Sequence, residues 1–285
     1  MLDSLVAFAQ YVWIALADAV LALIVPTVFF VALALIMKRR EAVAAARRAA
    51  HEVRLILSFH FLDAVFVVPV LGVMTVAIAT AMQGNGLVLV PSAVWDTLGM
   101  YPTLFFAVFL GDFIGYWRHR LEHTRWLWPT HAIHHSDEEM TWLTLNRFHP
   151  INRITTTMID SAFLMAMGLP AWAVIANSAV RNYYGYFIHA DLPWTYGRLG
   201  KVFVSPAMHQ WHHAKDIKYA GTNFATVFSI FDRVFGTFAL PGPCDVPLGI
   251  AQEIGQNVPA QLAHPFKAWF GPLFRKAGRS PETAP

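Results

Sequence analysis

The sequence predicts an all-α integral membrane protein of about three transmembrane helices plus a helical hairpin, with a cytoplasmic helical cap holding its histidine boxes. Three observations carry this. Of 285 residues, 56% are hydrophobic and 14% charged, where soluble domains run at roughly 45–50% and 25%. Apolar runs of membrane-spanning length recur along the chain. Most of the thirteen histidines fall just beyond the ends of those runs.

Residues 19–37 are almost unbroken apolar and lead straight into Lys38, Arg39, Arg40, Arg47, Arg48 and Arg54, against only Glu41 and Glu52. The positive-inside rule makes that loop cytoplasmic. No basic segment precedes the first apolar stretch, so it reads as a retained span and not a cleaved signal. Residues 55–82 form the second span, reversed on the outer side by the uncharged turn Gln83-Gly84-Asn85-Gly86. A third span over 94–115 returns to the cytoplasm at Trp117-Arg118-His119. Residues 154–188 are apolar again but broken by Gly168-Leu169-Pro170. Two short helices forming a hairpin are expected there, because the histidines on either side share one site only if the stretch crosses twice or not at all. After Trp194 the chain turns polar, with Pro241-Gly242-Pro243 marking irregular structure. No linker or long repeat divides it. The expectation is one membrane-embedded domain over 1–278, with its histidine-box region at 105–240 and a disordered tail at 279–285.

The net charge of +3 sits beside apolar segments and is read as a topology signal, so no nucleic-acid partner is expected. One cysteine, Cys244, excludes disulfides, iron–sulfur clusters and thiolate zinc sites. The histidines carry the chemistry. His131-x-x-His134-His135 recurs as His209-x-x-His212-His213, and His119-x-x-x-His123 precedes both. Spacings of three and four place imidazoles on one helical face. His149 and His189 lie between the second and third boxes and make ten candidates. Imidazole clusters without cysteine suit iron, copper or zinc, and so many nitrogens exceed the needs of one ion. Two metals are expected. His51 and His264 stand outside the clusters and are assigned to the surface.

Asp112, Tyr116, His119 and His123 form one helical stripe, making Asp112 and Tyr116 the candidates to orient a ligand. The bland alternative is that Asp112 meets interfacial water. Asp137, Glu138 and Glu139 orient ligands or, as we expect, are simply solvated. His60 and Asp63 lie within the second span, where ionisable groups are costly. They line a substrate cavity or bond each other between helices. Tryptophans 117, 126, 128, 142, 194 and 211 read mostly as an interfacial belt.

The segments Asp112-Phe-Ile-Gly-Tyr116-Trp-Arg-His119-Arg-Leu-Glu-His123, Trp128-Pro-Thr-His131-Ala-Ile-His134-His135-Ser-Asp137, Arg147-Phe-His149-Pro150 and Ser205-Pro-Ala-Met-His209-Gln-Trp-His212-His213 resemble the fatty acid hydroxylase/sterol desaturase superfamily. The likeness runs on through Asn223 and Phe231-Asp232-Arg233-Val-Phe-Gly236-Thr-Phe238 and covers about half the chain. The resemblance implies a non-haem di-iron enzyme with two Fe ions held by His119, His123, His131, His134, His135, His209, His212 and His213. It adds His189 as a ligand and His149 as a recurring histidine. Gly185 departs from the pattern, standing where some members carry a further histidine. It also implies O2 as co-substrate and hydroxylation, or desaturation, of a lipid, fatty acyl chain or sterol-like substrate. A C–H bond in such a molecule offers no acidic proton, so a metal–oxygen oxidant is the chemistry that fits.

No dinucleotide fingerprint or haem-attachment motif is present in the sequence. Electrons are therefore expected from an external ferredoxin-, reductase- or cytochrome-type donor docking near residues 38–54. The expected location is a bacterial inner membrane with the active site on the cytoplasmic side. Two alternatives remain at this point. His119-x-x-Glu122-His123 also reads as an inverted zinc-peptidase motif with Glu122 as general base. A His-rich metal transporter is the third possibility, although its ligands would belong near mid-membrane.

Overall fold

The computed structural model describes residues 2–274, so the expected tail lies outside the described residues. Among them every regular element is a helix. Helix α1 (Leu2–Lys38) is apolar on all sides, with Trp13, Val25 and Ile36 each more than two-thirds exposed. It begins at Leu2, well before the expected position 19, and its 37 residues make a rod of about 55 Å. The short helix α2 (Glu41–Arg48) crosses the basic stretch. Helix α3 (Ala50–Leu62) continues through one π turn, Asp63–Val67, into α4 (Val68–Gly84). These two rods, Ser4–Lys38 and Ala50–Gly84, are long and apolar enough to cross a membrane, and both are mostly unburied.

The π turn disturbs the backbone ladder. Tyr11 of α1 donates its hydroxyl to the Val65 carbonyl there, at 2.6 Å. His60 Nε2 lies 3.1 Å from the Ala19 carbonyl, and Asp63 pairs with Arg153 at 3.1 Å. The two residues thus join the rod to different neighbours and do not bond each other.

After Gly86 (φ +65°) and α5 (Ser92–Leu98) the chain enters α6 (Met100–Glu122). The expected third span is therefore shifted toward the histidines, and α6 is not among the two helices long and apolar enough to cross. It packs against both α8 (Pro150–Ala166) and α9 (Ala171–His189), with α7 (Trp128–His135) preceding them in the chain. Gly115 permits the close approach of α9, since a Cβ there would lie 2.0 Å from Arg181 Nη2. The break at Gly168-Leu169-Pro170 is a turn between α8 and α9. Gly168 has φ +63° and presses on the Val90 carbonyl, which a Cβ would meet at 2.0 Å. Helices α10 (Pro206–His212), α11 (Ile230–Val234) and α12 (Val258–Phe274) complete the fold.

The histidines gather at the C-terminal ends of α6, α7, α9 and α10, the same end as the basic stretch. Lys38 pairs with Asp191 there, and Glu52 with Arg147. Arg118 and Arg181 both bind Asp160, and Arg118 also binds Glu122, so α6, α8 and α9 are cross-linked by buried charge. An aromatic cluster of Tyr116, Phe224, Phe231, Phe113 and Phe235 fastens segment 224–235 to α6. Ring pairs of this kind add about 0.5–1.5 kcal/mol each beyond burial.

Candidate metal centre

Nine imidazoles converge in two adjoining groups. His119, His123, His131, His135 and His212 form one; His134, His189, His209 and His213 form the other. Within each, the ligand atoms all lie within 4.8 Å of one another. The groups touch through the rings of His135 and His213, stacked with centroids 4.3 Å apart.

Helix geometry explains the convergence. His119 and His123 lie one turn apart at the end of α6, and α7 and α10 each present an i, i+3, i+4 triplet. Ser205 caps α10 by accepting the Met208 N–H at 3.2 Å, which fixes where the third box begins. His189 is the last residue of α9.

The Nδ1 atoms of five rings face fixed acceptors. His119 donates to the Phe224 carbonyl (2.8 Å), His123 to Ala220 (3.0 Å) and His212 to Thr222 (2.7 Å). Every second carbonyl of segment 220–224 thus orients one histidine. His189 donates to the Gly185 carbonyl at 2.7 Å, and His131 to Asn152 Oδ1 at 3.2 Å. Each Nδ1–H assigned this way leaves Nε2 as a bare lone pair in the neutral ring.

The Nε2 atoms point at one another. His119 Nε2 lies 3.0 Å from both His131 Nε2 and His212 Nε2, and His189 Nε2 lies 2.9 Å from His209 Nε2 and 3.2 Å from His134 Nε2. Between Nε2 atoms whose protons sit on Nδ1 no hydrogen bond forms, and the approach is repulsive unless a cation stands between. At metal–nitrogen bonds of about 2.1 Å, neighbouring nitrogens around one ion are separated by about 3.0 Å in octahedral geometry, which matches. His213 contributes two buried nitrogens without a hydrogen-bond partner, and His209 and His134 one each. Burial holds His134, His135, His209 and His213 well below the usual imidazole range and brings His212 down to about 3. These rings are neutral at pH 7, as ligands must be. The donor set fits two metal ions.

His149 is not brought into either group. It caps α8, accepting the Ile151 N–H on Nδ1 at 3.1 Å, while Nε2 faces the Leu262 carbonyl at 3.2 Å. Asp112 touches no histidine. Its carboxylate accepts the backbone N–H groups of Thr226, Val227 and Phe228 at 3.1, 3.0 and 2.7 Å. The stripe is real, but the imidazoles turn to carbonyls, and Asp112 anchors the segment just after those carbonyls. Tyr116 is likewise indirect: its hydroxyl meets Thr237 Oγ1 at 3.0 Å, and Thr237 donates to Asp232, which accepts the Phe224 and Ala225 N–H groups.

Asp137 is fully buried between Thr144 and Arg147, against the expectation of a solvated residue, while Glu138 and Glu139 pair with Lys215 and Arg48 near the surface. Glu122 is also buried, receiving Arg118 Nη1 (2.7 Å), Asn152 Nδ2 (2.7 Å) and Thr156 Oγ1 (3.2 Å). A carboxylate so occupied does not fit the role of general base. It orients Asn152, whose Oδ1 orients His131. Asn152 carried no sequence signal, and neither did the carbonyls of Ala220, Thr222 and Phe224. Asn223, held at φ +57° between them, lay in the resembling stretch but revealed nothing of this role. Its side chain bonds Met208 and Ala239 and sets that loop against α10.

Comparison with known proteins points to the same stretch of the chain. The model of the fatty acid hydroxylase family matches residues 104–237, which contain all nine imidazoles. An ornithine lipid hydroxylase of Rhizobium tropici is 32% identical over 159 residues, covering 55% of this chain and 48% of that protein. The human alkylglycerol monooxygenase is 28% identical over 179 residues, 61% of this chain and 39% of its own length. A very-long-chain aldehyde decarbonylase of Oryza sativa subsp. indica is 30% identical over 148 residues, 50% and 53% of the two chains. The chain spans about half the length of the curated relatives it matches, or less. No solved structure matches. The histidine boxes, the family match over residues 104–237 and these relatives support the fatty acid hydroxylase/sterol desaturase superfamily.

Proposed function

We propose that the protein is a multi-pass membrane di-iron oxygenase that uses O2 and externally supplied electrons to hydroxylate a C–H bond of a lipid. The observation that carries this reading is the pair of all-imidazole groups with lone pairs facing inward. His119, His123, His131, His135 and His212 would hold one iron, and His134, His189, His209 and His213 the other. His149 serves as a helix cap. Iron held by these residues would supply the redox chemistry by which O2, reduced with the externally supplied electrons, oxidises an unactivated C–H bond.

The rest is done by the chain itself. The carbonyls of Gly185, Ala220, Thr222 and Phe224 and the Asn152 amide fix ring orientation before any ion arrives, which lowers the cost of assembling the site. The aromatic cluster around Tyr116 keeps water from the α6 side. All-imidazole ligation brings no negative charge, and the buried carboxylate of Glu122, 3.7 Å from His131 Nδ1, stands beside the five-histidine group.

The membrane supports the same reading. Exposed apolar side chains cover α1 and α4, which water would not tolerate over such lengths. With these as spans and the basic stretch inside, α6 returns the chain to the cytoplasmic side, the α8–α9 hairpin enters from there, and one domain over 1–278 contains the whole site. The donor would dock beside residues 38–54. Glu122 is bound by Arg118, Asn152 and Thr156, which disfavours a zinc hydrolase, and the groups lie at helix ends, which disfavours a transporter.

The test is turnover of membrane lipid extract by purified protein with a ferredoxin–reductase couple under isotopically labelled O2. Label from O2 in a lipid hydroxyl supports the proposal; a hydroxylated product that carries no label overturns it.

A further inference from the structure

A cavity of about 470 Å³ opens between the last turns of α1, helix α2 and segments 139–143 and 190–192. No histidine lines it. Its walls are Phe30, Ala34, Met140 and Leu143, and α2 contributes only alanines, which leaves room where larger side chains would close the space. Ala190, directly after His189, belongs to the lining. Trp142, also in the lining, stacks on Phe30 at 5.1 Å and meets Tyr186 edge-on at 5.3 Å, one turn before His189. One wall of the groove therefore continues directly from His189, a member of the four-histidine group.

The polar residues of the groove are unusual in their balance. Lys38 bonds Asp191, whose side chain is 58% exposed, and Arg54 and Glu139 line the same groove. Two cations and two anions give no net charge. An anionic head would gain at Lys38 and Arg54 but meet two carboxylates, whereas a head bearing both signs satisfies both. The groove lies at the end of α1, beside an apolar surface that continues along that helix.

We propose that this groove binds one membrane lipid with a zwitterionic head, its cationic group at Asp191, its anionic group at Lys38, and an acyl chain along Phe30, Met140 and Leu143. For the purpose of that lipid, delivery of a chain toward His189, the inference rests on the oxygenase reading above.

The experiment titrates metal-loaded protein in detergent with phosphatidylethanolamine brominated on its acyl chains, following tryptophan emission. Saturable quenching is expected, with the saturating component absent in Trp142→Phe. Ala46→Phe, at an exposed position on the groove wall, raises the midpoint about tenfold. Brominated phosphatidylglycerol requires about fivefold more lipid, and Asp191→Asn removes that preference. Quenching indifferent to Trp142→Phe and Ala46→Phe, or equal affinity for the two heads in the wild type, overturns the proposal. The two readings fail separately. Protein that oxygenates lipid yet ignores the groove variants leaves only the oxygenase reading, and protein that binds lipid here without oxygenating any leaves only the groove.

Discussion

Replacing Asn152 by alanine should empty one metal position before the other. Asn152 accepts from His131 Nδ1 at 3.2 Å and donates to Glu122 Oε1 at 2.7 Å, both fully inside the protein. Removing it frees His131 to rotate or change tautomer and takes one of three donors from a buried carboxylate. A buried group left unsatisfied costs about 1–3 kcal/mol. Loss of a partner that orients a ligand costs roughly ten- to a hundredfold in metal affinity. That loss falls on the five-histidine group alone, because His134, His189, His209 and His213 make no contact with Asn152. Against a graded chelator series, bound metal per chain should drop from two to one at chelator concentrations that leave the wild type full. Thr156→Val, which removes the longer bond to Glu122 but spares His131, should lose little. Simultaneous loss of both ions in Asn152→Ala, or none, would refute the division into two groups.

Other outcomes follow from the same contacts. Asp112→Ala strips the acceptor of three backbone N–H groups and should cost roughly 3–5 kcal/mol. It should also weaken metal retention through the Phe224 carbonyl, and an unchanged melting temperature with full metal would contradict the anchoring role. Acid should destabilise the metal-free protein. Its imidazoles are held neutral when folded, His212 down to about 3, and unfolding lets them take protons below about 6.5. Stability is therefore full above that pH and falls as pH drops, by about 2 kcal/mol per excluded proton at pH 5. A melting temperature flat between pH 7 and 5 would show that the rings are not so buried. His264→Ala should leave metal content and stability unchanged, since its one side-chain hydrogen bond among the described residues is to Gln252, at 3.4 Å; loss of metal would place it in the site.

Periodicity and charge made much of this legible. The apolar runs and the basic stretch marked the two rods, although α1 extends further toward Leu2, since residues 2–18 hold no glycine or proline to break a helix. The Gly168-Leu169-Pro170 break was readable because a left-handed turn demands glycine. Histidine spacing marked eight of the nine imidazoles, since three- and four-residue steps are a property of the helix itself, and His189 came from the family resemblance. What the sequence hid depends on loops packing from afar. Asp112 sits on the expected stripe, yet what it faces is backbone from 226–228, and backbone groups leave no residue-specific trace. Likewise His149 resembles its neighbours in composition and differs only in that Ile151 and Leu262 take both its nitrogens. Asp137 looked solvated because two glutamates follow it; its burial is set by Arg147, whose guanidinium is also bound to Glu52 on a distant helix.

The central claim is most directly tested by metal analysis of detergent-purified protein from iron-replete cells, alongside variants in each group. Two irons per chain are predicted, falling to about one in His212→Ala and in His209→Ala separately. A single tightly held zinc that iron does not replace, unaffected by His209→Ala, would contradict it.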